Sequence, residues 1–146
     1  MKHLVILFIC LLCGTAGTAM AQDVRPSLVG IWQQTEKVQK DNGKEQMLNL
    51  PVWKVIEEDN KFSTFLIPNR KGAAIITTQG TYTVSSDSTY TEHIQNSITA
   101  PELIGKGNAM KYRFLTEDYL EVRYTMPGAK SEAVEVWRRI HLEWPR

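Results

Sequence analysis

Beyond its first few residues this 146-residue chain has no cysteine: its two, Cys10 and Cys13, both lie in the N-terminal apolar stretch. The remainder therefore has no disulfide, no thiolate nucleophile and no cysteine metal site. Histidine is scarce too. Past His3 only His93 and His141 remain, and His-x-His, His-Glu-x-x-His and Gly-x-Ser-x-Gly arrangements are all missing. Metal centres and hydrolytic triads have no support in that pattern, and we expect neither a metal nor a cofactor. An excess of one charge is also lacking, with 17 Lys and Arg against 16 Asp and Glu. Nucleic acid, which requires a basic surplus, is not an expected partner. After the N-terminus no apolar run is long enough to span a membrane.

The N-terminus reads as an export leader over residues 1–21. Lys2 supplies the positive end, residues 4–12 are unbroken apolar sequence, and Ala19-Met20-Ala21 suits cleavage before Gln22. The chain is expected to be exported, to the periplasm or beyond. A lipoprotein leader is the rival, but Ile9 and Leu12 stand directly before Cys10 and Cys13, where a lipoprotein carries a small residue. Residues 22–146 hold no repeat, low-complexity tract or linker, and are read as one domain of suitable length for a single core.

What is abundant is β-forming sequence. Val, Ile, Thr, Tyr, Phe and Trp recur in eight short runs at about 28–38, 52–58, 61–67, 74–84, 89–95, 109–115, 119–126 and 132–142. Gly80 predicts a bend or bulge in the fourth. The connections alternate in length. Those at 59–60, 85–88 and 116–118 are tight, whereas those at 39–51, 68–73, 96–108 and 127–131 are longer. In an up-and-down meander successive connections fall at opposite ends, so the tight turns close a base and the long loops rim a mouth. We expect an all-β, eight-stranded antiparallel barrel. At most one short helical turn is expected, at 99–105, where a proline and a terminating glycine bracket Glu102-Leu103-Ile104.

Gly30 and Trp32 share one face of the first run, a small residue beside an indole large enough to plug the barrel's end. With this Gly-x-Trp, the Thr116-Glu117-Asp118-Tyr119 turn and two arginines late in the last run, Arg138 and Arg139, the chain resembles the lipocalin-like branch of the calycin barrels. It is most similar to small exported bacterial lipocalin-like domains without an assigned activity. The resemblance implies a structural plug at the closed base, built from Gly30, Trp32, Tyr119 and either Arg138 or Arg139. It departs from typical lipocalins in lacking their disulfide and their C-terminal helix.

Alternation then selects a lining for the cup. Tyr82, Tyr90, Glu92, Tyr112, Phe114 and Tyr124 fall on the more apolar faces of their runs. Trp53 is a further candidate, because in the second run Trp53 and Val55 compete with Val52 and Ile56 for the interior. The fifth run is also open: either Glu92 faces in, requiring Tyr, Arg or water as a partner, or His93 does. Such a lining suits non-catalytic binding of a small hydrophobic or amphipathic molecule. A mildly basic rim (Lys40, Lys44, Arg70, Lys71, Lys106 and Lys130) would favour an anionic one. The alternative is a barrel filled by its own side chains, acting through its loops or outer face and compatible with a homodimer. An enzyme using Glu92 or His93 as a base is a third reading.

Overall fold

The computed structural model describes residues 26–68 and 72–145; the leader, with Cys10 and Cys13, and the rim residues Arg70 and Lys71 lie outside the described residues. Eight strands follow one another: β1 (Gly30–Gln39), β2 (Glu45–Ile56), β3 (Lys61–Leu66), β4 (Ile75–Ser86), β5 (Thr89–Ser97), β6 (Gly107–Thr116), β7 (Tyr119–Tyr124) and β8 (Ala133–Ile140). Each pairs antiparallel with the next, and β1 closes on β8 from Ile31↔Ile140 to Thr35↔Val136. The result is the closed up-and-down barrel that the alternating runs predict, and closure leaves no free sheet edge around the barrel wall. No helix among the described residues is long and apolar enough to cross a membrane.

The turns at 57–60, 87–88 and 117–118 close one end. Each is tied by short side chains. Asp59 Oδ1 accepts from Lys61 N (3.3 Å), Ser86 Oγ from Ser88 N (3.2 Å), and Thr116 Oγ1 from Asp118 N (3.2 Å). The other four connections form the mouth. There the 3-10 turn Pro101–Leu103 occupies the segment where a helical turn was expected, and it presses Leu103 into the core.

One connection differs from expectation. Most of 39–51 is strand, because β1 and β2 run past the barrel as an exposed two-stranded ribbon to a turn at 40–44. Residues 45–49 are solvent-exposed, so no buried face imposes alternation on their sequence. Pro51 also reads as a strand breaker. It is accommodated beside a register shift between Gln33 and Thr35 in β1, where Gln33 Nε2 donates to Leu50 O (3.0 Å). Gly80 sits at the predicted irregularity in β4, and a Cβ there would lie 2.0 Å from His93 O.

The base is packed solid. Trp32 is fully buried, and Phe62, Tyr90, Leu120 and Val122 surround the same core. The Trp32 indole donates through Nε1 to Leu28 O (2.8 Å), and the Arg139 guanidinium lies over its ring at 4.1 Å. Arg139 also donates to Ser27 O (2.6 Å), Val29 O (2.9 Å) and Glu117 O (3.2 Å). Gly30 is required here twice over: its φ is +146°, and a Cβ would stand 2.6 Å from Arg139 Nη1. The plug is therefore Gly30, Trp32 and Arg139. Tyr119 and Arg138 do not belong to it. They face each other across β7 and β8 on the outer wall, where Arg138 Nη2 donates to Gln33 Oε1 (3.1 Å). The two-residue period decides this, since Arg139 shares its face with the buried Trp137.

Candidate functional site

The inner face is settled by the buried members of each strand: Trp32, Ile56, Phe62, Tyr82, Tyr90, Glu92, Ile94, Met110, Leu120, Val122 and Trp137. In β5 this puts Glu92 inside. His93 lies on the outer wall, exposed, its Nε2 3.2 Å from Thr83 Oγ1. In β2 the same alternation puts Val52, Lys54 and Ile56 inside, so Trp53 is on the outer wall, paired in register with Gln33 and Phe65. Trp53 is thus removed from the lining. An indole loses the inner position to a lysine because the lysine has a buried partner.

That partner is Glu92. Lys54 Nζ donates to Glu92 Oε1 at 2.7 Å, with only 9% and 5% of the two side chains exposed. Tyr90 adds a second hydrogen bond to the same oxygen (3.3 Å). The ammonium also lies 5.6 Å from the Phe62 ring centroid and 5.1 Å from that of Trp137. Of the partners expected for Glu92, tyrosine is present and the cation is a lysine. Burial, then the charges of Glu92 and Glu135, pushes the Tyr90 phenol well above its usual range and keeps it a donor.

A second polar group stands nearby. Glu135 Oε1 accepts from Tyr124 OH (2.8 Å) and Glu135 Oε2 from Trp137 Nε1 (3.0 Å). Tyr124 is half-buried, and desolvation together with Glu135 raises its pKa. Above these groups the barrel is open. A cavity of about 380 Å³ is lined by Lys54, Glu92 and Glu135 at the polar positions and by Val52, Leu66, Ile94, Leu103, Met110, Met126 and Trp137 at the apolar ones. Its remaining wall is rich in hydroxyls: Thr77, Thr78, Ser97 and Thr99 line it, and Ser97 Oγ lies 2.9 Å from Thr78 Oγ1.

Of the expected lining, Glu92 and Tyr124 face this space. Tyr82, Tyr90, Tyr112 and Phe114 point inward but lie lower and fill the base. Tyr82 OH donates to Glu57 O (2.9 Å) and Tyr112 OH to Ser86 O (3.2 Å), both at tight turns, while Phe114 packs 6.3 Å from Trp32. Lys54, Glu135 and Trp137 were not anticipated. For Glu135 and Trp137 the signal is parity: with Arg139 over Trp32, both must also face inward.

A family model described as a domain of unknown function (DUF4488) matches residues 27–146. No curated protein matches the chain.

Proposed function

The chain belongs to the DUF4488 family, and we propose that it binds a small amphipathic molecule in the cup without transforming it. The supporting observation is that the barrel is packed at its base but holds an open cavity of about 380 Å³ above a buried ion pair. Ligand pockets run from roughly 300 to 1,000 Å³ and combine apolar walls with a few fixed polar groups. This cavity is at the small end of that range. Trp137, Met110, Met126 and Leu103 offer the apolar wall, while Glu92, Glu135 and Lys54 offer the fixed polar positions.

The base supports reading the barrel as lipocalin-like. An indole plugs the closed end under an arginine from the last strand, and a glycine makes room for both. This reading joins the expected export leader in suggesting a carrier that works outside the cytoplasm. Binding is preferred to catalysis because Glu92 is already engaged by Lys54 and Tyr90, and His93 stands on the other side of the wall.

Native mass spectrometry of protein purified gently from its own host tests the proposal. A small molecule that travels with the folded protein and leaves on denaturation is the expected result. Ala100→Trp, which fills the mouth from a partly buried lining position, should abolish both this adduct and the binding of an apolar fluorescent probe. Apo protein that is also inert to such probes would overturn the assignment.

A further inference from the structure

Three ionisable side chains besides the tyrosines face the cup, and their charges do not cancel. Lys54 is matched by Glu92. Glu135 forms no ion pair with any described residue; its two oxygens take neutral donors, the Tyr124 hydroxyl and the Trp137 indole. The cup therefore carries one net negative charge.

Its unused hydrogen-bonding capacity has the same bias. Glu92 is 95% buried at its side chain (5% exposed), yet both of its protein hydrogen bonds go to Oε1. Oε2 has no partner among the described residues. It is not sealed in either, since Arg138 Nε is the only fully buried side-chain nitrogen or oxygen among them without a hydrogen bond. Glu92 Oε2 is thus an open acceptor on the cup. Glu135 retains one free lone-pair direction on each oxygen. On the donor side the wall adds only neutral groups, the hydroxyls of Thr64, Thr77, Thr78, Ser97 and Thr99 and the amides of Gln34 and Asn108. The Lys54 ammonium is held between Glu92 and the rings of Phe62 and Trp137, and the Tyr124 and Trp137 protons are committed to Glu135.

From this imbalance we infer that the cup selects a cationic amphiphile, a protonated amine carried on a compact apolar body. The inference rests on the binding function proposed above and adds the sign of the ligand's charge. The ammonium would sit against Glu135 and Glu92 Oε2, replacing water with charge-assisted hydrogen bonds. Its apolar body would lie against Trp137, Met110 and Met126. An anionic headgroup at the same place would meet two carboxylates and one lysine that is already paired. The described rim lysines, Lys40, Lys44, Lys106 and Lys130, act at a distance on encounter and are screened by salt; none of them lines the cup where the headgroup would be seated.

Isothermal titration with three probes of one chain length, octylammonium, octanoate and 1-octanol, separates the possibilities. Octylammonium is expected to bind most tightly, and Glu135→Gln should weaken it about tenfold while leaving 1-octanol nearly unchanged. Glu58→Gln, at a base turn remote from the cup, is the control, and circular dichroism confirms that each variant is folded. If octanoate binds as well as octylammonium, or if folded Glu135→Gln binds the amine as wild type does, the charge assignment fails and the cup remains a binding site. If none of the three probes binds, the cup reading falls and this inference with it.

Discussion

Arg139 gives all three of its guanidinium nitrogens to carbonyl oxygens, two of them just ahead of β1 and one in the turn before β7, while its plane rests on Trp32. Gly30 is held under it at a positive φ. Trp32→Ala should therefore cost about 3–5 kcal/mol in urea unfolding, as other large-to-small core changes do. Gly30→Ala should cost about 1–3 kcal/mol, from backbone strain and from the displaced guanidinium. A loss below about 1 kcal/mol for Trp32→Ala would mean that the base collapses around the void and is not a plug. The Lys54–Glu92 pair predicts a different pattern. Removing one partner leaves a charge stranded, and Lys54→Met alone should cost about 3 kcal/mol. Lys54→Met combined with Glu92→Leu should be more stable than either single variant, because no charge is then left buried. A double variant as unstable as the sum of the singles would refute this. Of these residues, Gly30 and Trp32 were legible in the sequence, because a small–large pair on one strand face has a local meaning. Lys54 was not. A lysine between Val and Trp reads as solvent-facing until the partner across the barrel is known, and that partner is 38 positions away.

At the level of strands, the outer wall of β6 and β7 is held by a carboxylate. Glu121 accepts from Arg113 Nε (2.8 Å) and Nη2 (3.0 Å) and from Arg123 Nε (2.8 Å). The Arg113 hydrogen bonds, then that from Arg123, hold its carboxyl at about 2, below its ordinary 4.5. A carboxyl whose folded value is depressed adds stability that is present above its unfolded value. That stability is lost as pH falls from about 4.5 through about 2. Urea midpoints measured across this window should decline in the wild type, and the decline should be shallower in Glu121→Gln. Identical acid limbs would show that Arg113 and Arg123 contribute nothing through this carboxylate. The order of strands was legible because alternation and turn chemistry are local. The inner face of β2 and the course of 39–51 were not. In β2 large apolar residues occupy both faces, and the ribbon ahead of it has no buried side to leave a period in the sequence.

Across the whole molecule, order should grade from base to ribbon. The base combines three tight turns, the Trp32 plug and the most deeply buried side chains. The mouth half encloses a cavity, and beyond it residues 39–49 of the β1–β2 ribbon are exposed. The ribbon's hydrogen bonds connect β1 and β2 alone, whereas each strand of the closed wall has a neighbour on both sides. Protection against hydrogen exchange follows buried contacts and backbone bonds shielded from water, and regions short of both open without global unfolding. Amides at 31–33, 62–64 and 120–122 should therefore exchange only through global unfolding. Those at 37–47 should exchange by local opening with a much smaller free energy. The cup is lined from all eight strands and from the 98–106 segment, so a ligand there should slow exchange in the mouth half of the wall and leave the ribbon unchanged. Exchange measured with and without octylammonium tests both statements. Uniform protection would mean that ribbon and wall form one cooperative unit. Slowing confined to the ribbon would place the bound molecule outside the barrel.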